Sequence, residues 1–196
     1  PRGAARVEAI LDEATRLLVS EGDGALALRR VAAGAGIALG NLQYYFPTQE
    51  SLLRALLARV FTRARARLDA ALGSDAGDLR GIVGVLLDEH ADPNACRLFY
   101  ELWALAARER WASRVLRAFY DAYVDAVVEA LRAQCPGLAP DVARSRARMF
   151  VAAIEGLSLF RSGAAGESDP AFDADAARWL LQTLVPDDPA PAPRAP

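Results

Sequence analysis

Lysine is absent, so all 23 basic side chains are arginine; histidine occurs once, at His90, and cysteine twice, at Cys96 and Cys135. A structural zinc site draws on about four Cys or His ligands, so none is expected, and two thiols cannot form the disulfide framework of a small secreted protein. The lone histidine has no visible nucleophile partner and neither cysteine lies in a catalytic motif, so the chain does not read as an enzyme. A redox sensor built on Cys96 or Cys135 is a further reading, set against the expectation that both thiols are buried and inert. No stretch approaches the uncharged apolar length of a transmembrane helix. Residues 1–7 are polar and lead into an amphipathic pattern rather than an apolar leader, which points to a soluble cytoplasmic protein.

What is present describes a packed chain. The 196 residues are 53% hydrophobic and 24% charged, enough for a real core as one domain or as a small module joined to a larger one. The formal charge of −2 conceals an asymmetry: residues 1–67 carry ten arginines against six carboxylates, and residues 68–196 carry 13 against 19. A basic N-terminal third permits a polyanionic partner, although arginine on an ordinary solvated surface gives the same count.

Apolar residues fall at helical spacing almost throughout, and no segment shows sustained alternation with β-branched residues, so the fold class is all-α. Val7, Ile10, Leu11, Ala14, Leu17 and Leu18 line a first helix of three turns, ended by the glycines near 22–24. Short helices follow over 28–34 and 39–45, separated by Gly34-Ala35-Gly36. Pro47 breaks the chain and Thr48 caps a long helix with Glu50 at its positive end. Further helices are expected near 78–91, 94–108, 111–134, 140–163 and 172–185, with Pro93, Pro136-Gly137 and Pro170 as punctuation. Residues 186–196 contain five prolines and read as a disordered tail.

The segment 28–53, LRRVAAGAGIALGNLQYYFPTQESLL, has the spacing of a helix-turn-helix, in which the second helix enters the major groove and the first braces it. Leu42 and Phe46 should point inward, leaving Asn41, Gln43, Tyr44 and Tyr45 around the rest of the circumference. Asn and Gln can pair bidentately with adenine, and tyrosine hydroxyls reach phosphates. Packing of Tyr44 and Tyr45 against neighbouring helices is the plainer alternative. With its preceding helix, roughly 4–57, this stretch resembles the DNA-binding domain of the TetR family of one-component transcriptional regulators. The resemblance implies DNA contacts at Arg29, Arg30, Asn41, Gln43, Tyr44, Tyr45 and Gln49. Three positions depart from the family pattern: Gln43 stands where tyrosine is commonest, Gln49 replaces a usual lysine, and Ala27 replaces a usual Thr or Ser cap. Loss of that lysine shifts the electrostatic burden to Arg2, Arg6, Arg29 and Arg30.

The resemblance also implies a helix-turn-helix domain over 1–47, a helical ligand-binding and dimerisation domain over 48–185, and a repressor released from a palindromic operator by a small apolar or aromatic molecule. No cofactor, catalytic residue, metal or membrane enters this reading. Effector contacts are expected among Phe99, Trp103, Trp111, Phe119, Tyr123 and Glu155, although the same aromatic list describes a helical core. His90, Glu101 and Glu155 interrupt apolar faces and should be paired or solvated. A homodimer is expected through 148–161, where Ala152, Ala153 and Gly156 allow close approach, and through the last helix around Trp179, Leu180, Leu181 and Leu184.

Overall fold

The computed structural model describes residues 2–22, 24, 26–73, 79–89, 92–166 and 169–184. These form nine α-helices and no strand: α1 (Arg2–Glu21), α2 (Leu28–Gly34), α3 (Leu39–Tyr45), α4 (Gln49–Gly73), α5 (Leu79–Glu89), α6 (Pro93–Arg108), α7 (Arg110–Gln134), α8 (Pro140–Arg161) and α9 (Pro170–Leu184). His90 and the expected tail at 186–196 lie outside the described residues. Two compact units result, one from residues 1–66 with 93–120 and the other from 67–92 with 121–196.

In the first unit, α1 runs 20 residues rather than three turns, because an exposed stretch from Gly3 to Arg6 precedes the apolar stripe that begins at Val7. Gly22, at φ 79°, ends it and donates its N–H to Leu18 O at 2.9 Å. Ile10, Leu17, Leu18, Val31, Leu42, Phe46, Leu52 and Leu56 make one core with Leu98, Leu102 and Leu105 of α6. Burying each such side chain stabilises the unit by roughly 1.5–3 kcal/mol. α6 therefore belongs to the same packed body as the first three helices, and it lies against α1.

Arg59 fastens α4 to α1. Its guanidinium donates to Asp12 Oδ1 at 2.7 Å, Thr15 Oγ1 at 2.6 Å, Leu11 O at 2.8 Å and Glu8 Oε2 at 3.3 Å. The second unit is held by α9 against α5 and α8, with Ile82, Leu86, Phe150, Ile154, Leu180 and Leu184 buried. Arg161 pins these three helices together: it pairs with Asp173 of α9 at 2.7 Å and donates to the Leu87 carbonyl of α5. Among the described residues, no helix is long and apolar enough to cross a membrane.

Candidate nucleic-acid interface

The turn between α2 and α3 is built by two glycines with different tasks. Gly36 takes φ 64°, which an L side chain disfavours, and lets Ile37 N–H reach back to Ala32 O at 3.0 Å and Gly36 N–H to Ala33 O at 3.2 Å. Gly34 stays helical; a Cβ there would stand 1.9 Å from Glu13 Oε1, so its bareness makes room for a carboxylate of α1. Glu13 accepts two hydrogen bonds from Arg16, at 2.8 and 2.7 Å. Those bonds hold its carboxyl below the ordinary glutamate range, against the opposing effect of burial.

α3 then presents itself by periodicity. Leu42 is fully buried and Phe46 is nearly so, which fixes the inner face; Asn41 and Gln43 are exposed and Tyr44 is 81% exposed. Tyr45 is half-buried against the core, its ring edge-on to Tyr44 at 5.1 Å. Gly40 adds no side chain to the leading turn. A reciprocal cap follows: Ser51 N–H donates to Thr48 Oγ1 at 3.0 Å and Thr48 N–H to Ser51 Oγ at 3.1 Å, so α4 starts sharply behind α3. Gln49 opens α4 as an exposed side chain. By contrast Ala27, at the start of α2, makes no side-chain cap.

The expected DNA contacts thus separate into two sets. Arg29, Asn41, Gln43, Tyr44 and Gln49 are exposed, whereas Arg30 is engaged: its Nη2 donates to both carboxylate oxygens of Glu21, at 2.9 and 2.7 Å. Nothing in local spacing announces a pair nine residues apart across a turn. Arg6 is exposed. The side chain of Arg2 lies outside the described residues.

Four of the expected effector residues, Phe99, Trp103, Trp111 and Phe119, fall in the first unit. Phe119 stacks on Phe61 at 4.3 Å, Phe99 stands 6.5 Å from Phe61 and 6.3 Å from Phe119, and Trp103 Nε1 donates to Tyr120 Oη at 2.9 Å. Phe61 was hidden from the effector reading because it also continues the apolar stripe of α4. Trp111 has a separate partner, the guanidinium of Arg54, 4.6 Å from its ring centroid. Tyr123 and Glu155 belong to the second unit, the former buried and the latter half-buried on α8. Glu101, on α6, faces the α1 terminus, its Oε2 3.5 Å from where a Cβ on Gly22 would stand.

Comparison with known proteins divides the chain along the sequence, with 93–120 on the C-terminal side. Residues 10–56 match the model of bacterial regulatory proteins of the tetR family, and residues 75–187 match that of the C-terminal part of BetI-type transcriptional repressors. An HTH-type transcriptional regulator encoded in the dhlA 5′ region of Xanthobacter autotrophicus is 34% identical over 133 residues, 65% of this chain and 66% of that protein. The HTH-type regulator EthR of Mycolicibacterium smegmatis is 35% identical over 78 residues, 40% of this chain and 36% of that protein. The chain therefore spans under two thirds of the length of these curated relatives. Among solved structures, a TetR-family member from Streptomyces coelicolor A3 is 27% identical with a TM-score of 0.72, over 91% of this chain and 97% of that one. A protein from Saccharomonospora viridis, solved in complex with choline, shares the fold at 21% identity and a TM-score of 0.75, over 94% of this chain and 97% of that one. With both of its halves matched by models of one family and its helices superposing on that family's structures, this chain belongs to the TetR family of bacterial transcriptional regulators, which are not enzymes.

Proposed function

We propose that the protein is a cytoplasmic, DNA-binding repressor that holds a palindromic operator as a homodimer and leaves it when a small apolar or aromatic molecule binds. One observation carries the DNA reading: α3 buries Leu42 and Phe46 while offering Asn41, Gln43 and Tyr44 to solvent. In this reading Asn41 and Gln43 address base edges, and Arg29, Tyr44, Tyr45 and Gln49 address phosphates, with Arg30 joining them once it leaves Glu21. Selection from a genomic pool should return an inverted repeat whose affinity falls steeply with salt. Replacing Arg29 and Tyr44 together by alanine should abolish that binding with helicity intact; undiminished affinity in the double variant overturns the assignment.

The dimer is supported by apolar side chains that the single chain leaves uncovered on α8 and α9. Met149 is 60% exposed, Phe160 48% and Trp179 54%, and large exposed apolar patches mark interaction sites. Two reading helices about 34–36 Å apart would then meet successive major grooves. For the effector we propose contacts at Phe99, Trp103, Trp111 and Phe119 in the first unit and, separately, at Tyr123 and Glu155 in the second. The ring cluster around Phe61 supports an apolar or aromatic ligand, and choline on a protein of the same fold supports a small organic molecule. Effector binding that favours a dimer geometry unsuited to the duplex weakens operator affinity by the same factor that the operator weakens effector affinity.

A further inference from the structure

Where α6 gives way to α7, a groove of about 400 Å³ is walled by Arg108, Arg110, Arg114 and Arg117, with Ser113 and two small side chains, Ala106 and Ala107, completing it. Arg110, Arg114 and Arg117 recur at spacings of four and three, so they share a face of α7, and all three are exposed. Several other arginines of the same unit are matched with carboxylate, Arg16 with Glu13, Arg30 with Glu21, Arg54 with Glu50 and Arg59 with Asp12, whereas Arg6, Arg29 and Arg97 stand singly among the described residues. Arg110, Arg114 and Arg117 have no such partner among the described residues, and the first turn of α7 holds no acidic residue. Glu109, the nearest carboxylate in sequence, is exposed; its backbone is engaged, the N–H donating to Leu105 O at 2.8 Å and the carbonyl accepting Ser113 N–H at 3.0 Å. Like charges at these spacings repel, so the cluster weakens the helix unless an anion offsets it.

We infer that this groove binds a small polyanion carrying phosphoryl or carboxylate groups. Guanidinium forks match the paired oxygens of both groups, and Ser113 adds a hydroxyl donor. The volume falls within the range of small-ligand sites, while the arginine wall excludes the apolar effector proposed for the aromatic cluster. The two ligands are chemically opposite, and their binding places share no lining residue. α6, which forms one wall, packs against α1 and carries Leu98, Leu102 and Leu105 into the core that also holds Val31 and Leu42, a packed body through which occupancy would bias the reading helix. That coupling rests on the DNA-binding reading; anion binding does not.

The test is calorimetric titration of the full chain with inorganic pyrophosphate, and separately with citrate, at low ionic strength. Wild type should show one saturable site per chain, weakened about tenfold or more in Arg114→Gln as charge-assisted forks are lost. Arg117→Gln gives an independent reading of the same loss, and circular dichroism establishes that each variant is folded. Arg97→Gln, which removes an exposed α6 arginine outside the groove, should leave the affinity unchanged. Unsaturable uptake, or equal weakening in Arg97→Gln, overturns the inference. A second arm measures operator affinity against salt. An unchanged slope in Arg114→Gln supports a free anion as the ligand. A slope reduced by about one means that this side chain neutralises a duplex phosphate, and the small-anion assignment is lost.

Discussion

Single residues in the reading head carry opposed duties, and substitution separates them. Arg30 is both a proposed phosphate contact and the partner of Glu21 in a pair whose side chains are 50% and 43% exposed, a geometry worth little to stability. Glu21→Gln should leave the melting temperature almost unchanged yet tighten operator binding about two- to fivefold and steepen its salt dependence, because a phosphate-seeking cation is released. Fluorescence anisotropy at two salt concentrations measures both. Glu13 provides a pH test. Its folded carboxyl is held low by the Arg16 hydrogen bonds, so the folded state takes up that proton less readily than the unfolded chain. The resulting stability is present above the ordinary glutamate pKa and is lost as pH falls through the lowered value. Thermal melts between neutral and acid pH should show this component in wild type and not in Glu13→Gln. Gly34→Ala should act on the same pair by pushing the Glu13 carboxylate aside, whereas Gly36→Ala strains the backbone itself, costing about 1 kcal/mol.

Among elements, α2 and α3 are where sequence and structure agree residue for residue, because the breaks after them are set by local chemistry, glycine at the turn and Pro47 after the second helix, and the inner face of α3 by Leu42 and Phe46 at a spacing of four. The start of α1 was not legible, since Gly3, Ala4 and Ala5 contribute no apolar stripe and helix there is extended by propensity rather than by packing. Proline misled in the opposite direction. Pro93 and Pro170 open α6 and α9 instead of standing before them, and Pro140 opens α8 as expected, the first helical position being one where the missing N–H costs nothing. Asp169 caps α9, accepting Phe172 N–H at 2.7 Å. Within the candidate interface, exposure of Asn41, Gln43 and Tyr44 followed from periodicity, but the engagement of Arg30 and the Arg54–Trp111 contact depend on tertiary neighbours that no spacing rule supplies. The Thr48–Ser51 reciprocal cap is testable by itself. Thr48→Ala should destabilise the chain by about 0.5–2 kcal/mol, read in urea melts, and lower operator affinity as the start of α4 frays behind α3.

For the molecule as a whole, the proposed assembly depends on side chains far along the chain from α3. Trp179→Arg with Met149→Arg should convert a dimer into a monomer by sedimentation without unfolding it, since both positions are more than half exposed in the single chain. Operator affinity should collapse with it, because one module alone forfeits the second half-site. A variant that stays dimeric locates the interface elsewhere. Arg59 provides the complementary case. Arg59→Met should cost about 1–3 kcal/mol by removing the charged hydrogen bonds that tie α4 to Leu11 O and Thr15 Oγ1, which keep only their bond to each other, seen as a lowered thermal midpoint, with the sedimentation behaviour unaltered.

The presence of Leu98, Leu102 and Leu105 in the core beneath the first three helices bears on how the protein can be taken apart. A chimera that borrowed only residues 1–66 would bring the groove-reading apparatus without the hydrophobic plug that completes its core, leaving the α6-facing side of α1 open to water. Domain-swap engineering with this regulator therefore requires grafting two discontinuous stretches, 1–66 together with 93–120, and a cut at the end of the helix-turn-helix would yield an insoluble fragment instead of a portable DNA reader.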